Sequence, residues 1–212
     1  MKNKKTYYLL ILDKSGSMQS CVNETIGGFN EQLQMIENMR RRFPEQEFFI
    51  SLTTFSDEVS HPLDRCNDLG HRLLDRNHYH PNGSTALLDA IGEGVLKLKS
   101  SISHEIESDA ATAVVVILTD GYENASKLFD WKGIRQMIRE LEATSSWTFS
   151  FLGASENAVE VASRMNIKRS NAMQYSTTEM HQTMNHISDS LSNYAFEKRA
   201  GNKPIEFLNK EK

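Results

Sequence analysis

Cysteine is scarce in this sequence: Cys21 and Cys66 are the only two among 212 residues, and no C-x-x-C spacing joins them. A disulfide framework is excluded, and two reduced thiols in a reducing, cytoplasmic setting are expected. Proline is also scarce, at four residues, so the composition is unlike that of a fibrous or disordered chain. Long apolar runs are missing. The run near the N-terminus, Tyr7 to Leu12, covers six residues and stops at Asp13-Lys14. A secretory core needs about 7–15 apolar residues and a membrane span about 20, so neither is expected. No excess of one charge is present: 24 Lys and Arg against 28 Asp and Glu give a net charge of -4, which argues against a general nucleic-acid or membrane-surface binder. Enzyme signatures are missing too. No G-x-S-x-G elbow surrounds Ser15 or Ser17, and no G-x-x-x-x-G-K-[ST] phosphate loop occurs. Gly27-Gly28 and the pair Gly92 and Gly94 fall inside predicted helices, where they cannot form a dinucleotide loop after a strand.

What is present is a regular alternation of strands and helices in a chain long enough to bury roughly 70% of its unfolded surface. Tyr7 to Leu12 reads as a strand buried on both faces. Val22, Ile26, Phe29, Leu33 and Ile36 then mark one helical stripe. Glu47 to Phe55 returns to strand character, and Val59 to Leu63 predicts a short antiparallel edge strand. The polar stretch from Arg65 to Gly83 reads as a surface loop with one helical turn. A long helix carrying Leu88, Ile91, Val95, Leu98 and Ile102 begins close to Ser84-Thr85, and Ala113 to Leu118 is a second apolar strand. A helix through Trp131, Ile134, Ile138 and Leu141, a strand from Trp147 to Leu152, a shorter helix from Ala158 to Met165 and a weak strand near Ala172 to Tyr175 follow. The last helix carries Met180, Met184, Ile187, Leu191 and Tyr194, with Thr177 or Thr178 placed to cap it. The expected fold is α/β: a doubly wound, mainly parallel six-stranded sheet with one short antiparallel edge strand and helices on both faces. The domain is expected to span residues 1–196, with 197–212 a flexible or partner-binding tail rich in lysine and glutamate.

In an open sheet of this kind, ligands gather at the carboxyl ends of the strands. Asp13 to Ser17, Ser84-Thr85 and Asp120 should converge there, offering oxygen donors only. Such a set suits a hard cation, Mg2+, Mn2+ or Ca2+, better than zinc. The alternation in Asp13-x-Ser15-x-Ser17 lets a turning loop present three side chains to one point, with Gly16 easing the turn.

These residues resemble the metal-ion-dependent adhesion site of the von Willebrand factor A family: Asp-x-Ser-x-Ser, a distant threonine, then a distant aspartate. They fall on Asp13, Ser15, Ser17, Thr85 and Asp120. The contexts Leu12-Asp13-Lys14-Ser15-Gly16-Ser17-Met18 and Leu118-Thr119-Asp120-Gly121 are similar to stand-alone bacterial members, the type linked to stress and tellurite resistance. The resemblance covers roughly residues 6–195. It implies that Ser15, Ser17 and Thr85 offer hydroxyl oxygens, that Asp13 and Asp120 act directly or through water, and that a partner's Asp or Glu completes the coordination. It further implies a protein-binding adaptor with no turnover, beside an ATPase, kinase or phosphatase.

The alternative is a metal-dependent hydrolase of phosphate esters, which would need a general base such as Glu123 or His80 folded over the site. His78-Tyr79-His80 offers two imidazoles near Thr85, too few for a metal site, though the loop could flank one and help choose the partner. Tyr122, Glu123 and Asn124 share the rim with Asp120, and Asp89 lies one helical turn beyond Thr85, placed to steady the helix start. Lys14 facing inward would weaken a cation site or pair with Asp120.

Overall fold

In a computed structural model that describes residues 5–68, 73–202 and 204–208, six strands form one sheet in the order β3-β2-β1-β4-β5-β6. The strands are β1 (Lys5–Asp13), β2 (Glu47–Phe55), β3 (Val59–Cys66), β4 (Ala111–Thr119), β5 (Trp147–Gly153) and β6 (Ala172–Gln174). All neighbours run parallel except β2 and β3, which are antiparallel, so β3 is the antiparallel edge that the sequence pattern predicts. Five helices cover the sheet: α1 (Val22–Arg42), α2 (Leu87–Glu107), α3 (Trp131–Glu142), α4 (Ala158–Arg164) and α5 (Met180–Arg199).

β1 explains why a six-residue apolar run without alternation is a strand. Tyr8, Leu10 and Leu12 enter one apolar cluster with Phe29 and Leu33 of α1 and Ile187 and Leu191 of α5. Tyr7, Leu9 and Ile11 enter the other, with Ile91 and Val95 of α2 and Ile134 of α3. A strand buried on both faces needs apolar side chains at every position, and each such side chain removed from water contributes roughly 1.5–3 kcal/mol. Small residues let the helices come close: a side chain at Gly28 on α1 would strike Met184 Cβ at 2.4 Å.

A 3-10 turn, Gly16–Cys21, joins the Asp13 loop to α1, which starts at Val22, the first residue of its apolar stripe. The structure departs from the sequence pattern in two places. Neither Thr177 nor Thr178 caps the last helix: Ser176 caps the 3-10 turn Thr177–Glu179 that leads into α5, its side chain accepting from Thr178 N–H, and Glu179 at the start of α5 makes no side-chain capping bond. The end of the chain differs most. α5 runs on to Arg199, past residue 196, and residues 204–208 fold back onto their own domain, where Phe207 and Leu208 are buried. Asn171 Nδ2 donates to Ile205 O at 3.0 Å, and its Oδ1 accepts from Phe207 N–H at 2.7 Å, so one amide side chain holds the returning segment through two backbone groups.

Of the expected loop over 65–83, residues 69–72 lie outside the described residues; the turn at 75–79 is built on Asp75, whose Oδ1 accepts from Asn77 N–H and His78 N–H. Among the described residues no helix is long and apolar enough to cross a membrane. Cys21 is buried, Cys66 is half-buried, and neither is paired.

Candidate metal centre

Strand order decides where the site lies. β1 pairs with β2 on one side and β4 on the other, with Leu12 opposite Leu118, and the connections from these strands leave toward opposite faces of the sheet. The carboxyl ends of β1 and β4 are thus neighbours at the point where the winding reverses, and a crevice opens there. Asp13 is the last residue of β1; Asp120 directly follows β4.

At this crevice the structure gathers Asp13, Ser15, Ser17, Thr85 and Asp120. Ser15 N–H donates to Asp13 Oδ1 at 2.6 Å, Ser15 Oγ and Ser17 Oγ lie 3.1 Å apart, and Ser17 Oγ donates to Asp120 Oδ1 at 2.5 Å. Asp13, Ser15 and Thr85 are buried, Asp120 is half-buried and Ser17 is exposed, so the cluster is closed beneath and open above. Thr85 meets the others across Gly121: a Cβ there would lie 2.8 Å from Thr85 Oγ1 and 3.6 Å from Asp13 Oδ2. Only a residue without a side chain leaves room for both oxygens.

The electrostatics follow from burial. Desolvation pushes the Asp13 carboxyl up to about 6, against hydrogen bonds from Thr119 and Ser15 that favour its charge, and the nearby Asp120 adds to the rise. Asp120 is raised as well, by burial first, with the Ser17 hydrogen bond opposing. Among the described residues neither carboxylate forms an ion pair, so a buried and a half-buried acid lie close together with hydroxyl and amide donors only. A divalent cation between them would relieve both the desolvation and the repulsion, and the all-oxygen donor set suits it. The residues present therefore fit such an ion. Among the described residues there is no cluster of three or more His, Cys, Asp or Glu side chains of metal-binding type, so an ion between Asp13 and Asp120 would need hydroxyl co-ligands.

A ring of residues holds the five in place. Thr119 Oγ1 donates to Asp13 Oδ2 at 2.5 Å. Asn124 clamps Thr85 from both sides: its Oδ1 accepts from Thr85 N–H at 2.8 Å, and its own N–H donates to Thr85 O at 3.1 Å. Glu123 accepts from Leu88 N–H at 2.9 Å, Ala125 N–H at 3.0 Å, Ser126 N–H at 2.8 Å and Ser126 Oγ at 2.7 Å. A carboxylate committed to four donors at a helix start is poorly placed to serve as a general base, which removes the main support for hydrolysis. Asp89 accepts from the N–H groups of Lys127, Leu128 and Phe129 at 2.8, 2.9 and 2.9 Å, so it anchors the loop after Asp120 to α2, a more specific task than the helix-start role expected of it.

The histidines of the 78–80 segment do not form a ligand pair. His78 Nδ1 lies 2.5 Å from Asp75 Oδ1, turned into its own loop, and His80 is exposed. Tyr79 between them is the buried member, and its hydroxyl donates to Asp13 O at 2.5 Å. Lys14 makes no ion pair with Asp120 among the described residues; its backbone is pinned instead, N–H to Phe55 O at 2.6 Å and C=O from Asn82 N–H at 2.9 Å. Sequence reasoning missed Thr119, Tyr79 and the clamp by Asn124. An aromatic inside a polar stretch was a usable signal for Tyr79; the other two needed the fold.

The family model for the von Willebrand factor type A domain matches residues 9–192. No curated protein matches by sequence. Solved structures are similar in fold: proximal thread matrix protein 1 from the mussel byssus (14% identity, TM-score 0.62, 88% of this chain and 46% of that one), a von Willebrand factor type A protein from Catenulispora acidiphila (12%, 0.57, 88% and 42%), and the pilus adhesin SpaC from Lactobacillus rhamnosus GG (12%, 0.63, 90% and 30%). The chain thus spans about half the length of these proteins or less. The mussel protein has also been solved with zinc in its MIDAS motif, at 12% identity and a TM-score of 0.61. With the model covering most of the sequence and the sheet order, switch point and oxygen cluster all present, the chain belongs to the von Willebrand factor type A domain family.

Proposed function

We propose that this domain binds a divalent cation through Asp13, Ser15, Ser17, Thr85 and Asp120 and uses it to capture an acidic residue of a partner protein. The observation that carries the reading is the pair of carboxylates, Asp13 buried and Asp120 half-buried, raised by desolvation and linked through Ser17 and Ser15, with no ion pair to a cationic side chain among the described residues to balance them. Domains of this family typically engage proteins through a metal held at such a motif. The bound ion supplies an electrophilic centre toward a carboxylate. The chain's own part is positional: Ser15 and Ser17 present neutral hydroxyls, Gly121 leaves space for Thr85, and the open side above Ser17 admits the partner. Mg2+ is the proposed physiological ion, with Mn2+ and Ca2+ as substitutes. Zinc belongs in the same titration because a mussel relative holds it in the corresponding motif. The partner is proposed to be a protein of the ATPase, kinase or phosphatase class, met in the cytoplasm, as for the stand-alone bacterial members that the motif contexts resemble.

The test has two arms. Calorimetric titration with Mn2+ or Mg2+ should show a saturable site that Asp13→Ala and Ser15→Ala abolish while both variants remain folded. Partner capture should depend on the same ion; full capture in chelator, or by either variant, would falsify the adaptor reading. Cleavage of a generic phosphate ester that is lost in Asp120→Ala would instead establish hydrolysis.

A further inference from the structure

We infer that Tyr79 is a positioning residue for the metal loop, and that the segment from Tyr79 to Gly83 is the scaffold that holds this loop in its binding shape. The inference rests on the metal reading of the preceding section. Three hydrogen bonds run from this segment to the loop: Tyr79 Oη to Asp13 O at 2.5 Å, Asn82 N–H to Lys14 O at 2.9 Å, and Gly16 N–H to Gly83 O at 3.1 Å. Together they fix the backbone at positions 13, 14 and 16, the turn on which Asp13, Ser15 and Ser17 are spaced.

The Tyr79 bond differs from the other two because a side chain makes it. Tyr79 is fully buried, and its ring belongs to the apolar cluster that contains Met18, Cys21 and Val22 beneath the loop. The ring is therefore fixed by packing, and the hydroxyl reaches the carbonyl of the first loop residue from below. A phenol carries its proton at neutral pH, so the hydroxyl is a donor to the Asp13 carbonyl, which can only accept. Gly83 adds a second constraint: it adopts φ +70°, and a Cβ there would fall 1.9 Å from Asp57 Oδ2, while Asp57 Oδ1 accepts from Ser84 N–H at 3.1 Å. The scaffold is thus braced on the turn between β2 and β3.

A residue that orients a ligand-bearing loop without touching the metal contributes through preorganisation, and losing such support typically costs ten- to a hundredfold in metal affinity. Tyr79→Phe keeps the ring and removes only the hydroxyl. Tyr8 provides a matched control, since it is equally buried in the same cluster and its hydroxyl donates to Gln32 Oε1 at 3.0 Å, away from the loop.

The experiment is Mn2+ titration by calorimetry on the full chain, with thermal unfolding of the metal-free proteins beside it. Tyr79→Phe and Tyr8→Phe should lower the melting temperature by similar small amounts, but only Tyr79→Phe should weaken Mn2+ binding, by about tenfold or more. Unchanged Mn2+ affinity in Tyr79→Phe, or an equal loss in both variants, overturns the inference. Absence of Mn2+ binding by the unmodified protein is a different result, because it removes the metal reading itself.

Discussion

At the carboxyl ends of the strands, the buried Asp13 and the half-buried Asp120 accept hydrogen bonds from neutral donors; at the amino ends, the buried base Lys198 donates its hydrogen bonds to neutral oxygens. Lys198 Nζ donates to Lys5 O at 3.0 Å, Thr6 Oγ1 at 3.0 Å and Thr112 Oγ1 at 2.5 Å, where α5 crosses the starts of β1 and β4. An ammonium has three protons and finds three oxygens, so each N–H has an acceptor within the fold even though burial still disfavours the charge. The acids differ: their donors converge on a space left by Gly121 and open above Ser17. Buried charge alone therefore does not define a site. What distinguishes the carboxyl end is charge of one sign, oxygens facing a shared point, and a side open to a ligand.

If this contrast holds, the closed end carries stability and the open end carries binding, and substitutions should separate the two. The largest effect is expected at Phe207, which is fully buried near Tyr194 with ring centroids 6.2 Å apart. Phe207→Ala should cost about 3–5 kcal/mol of unfolding free energy in a denaturant titration, the range for a large core side chain, with Mn2+ affinity unchanged. A parallel loss of Mn2+ affinity would show that the two ends are coupled through α5 and would break the comparison.

Asp89 sharpens it from the other side, because it is an acid at the open end that behaves as the closed end does. Its three backbone donors leave it no need of a cation. Asp89→Ala should destabilise the protein by about 2–3 kcal/mol through unsatisfied amides, and hydrogen exchange should speed up at 127–129. Mn2+ binding should weaken by less than tenfold. Loss of binding as complete as in Asp13→Ala would move Asp89 into the metal site.

These distinctions were only partly legible in the sequence. Apolar runs without alternation gave away β1 and β4, since full burial leaves no polar position to show, and stripes such as Val22, Ile26, Phe29, Leu33 and Ile36 gave away the helices. The candidate site was readable through its resemblance to the family's adhesion-site pattern, which falls on Asp13, Ser15, Ser17, Thr85 and Asp120. Thr119 and Asn124 were not readable as supports, because a threonine at a strand end and an asparagine in a loop have many local roles and only the fold brings them to Asp13 and Thr85. The contacts of 204–208 were hidden for the same reason: a lysine-rich stretch reads as solvated, and only the fold brings Phe207 beside Tyr194 and Ile205 and Phe207 to the Asn171 amide. Lys198 has no sequence signal either, since nothing in a helical Glu-Lys-Arg run says which cation turns inward.

Lys198 yields the smallest effect and the clearest sign. Burial pushes its ammonium down from 10.5 to about 7, opposed by the charge of Asp109. Between those values the unfolded chain binds a proton that the folded chain does not, so stability rises with pH across the window and is lost as pH falls through about 7. One proton difference is worth about 1.4 kcal/mol per pH unit, so between pH 6.5 and 8.5 the contribution should be about 2 kcal/mol in favour of the higher pH. Other groups titrate in the same range, and the measurement is therefore a difference: denaturant unfolding of the metal-free protein at several pH values, minus the same series for Lys198→Met. The methionine keeps an unbranched chain in the slot and removes the ionisable group, so its profile should be flatter by about that amount. Parallel profiles would mean that the three oxygens stabilise the ammonium as fully as water does. The amino end would then hold a satisfied charge, and only the carboxyl end would retain buried charge in need of a counter-ion.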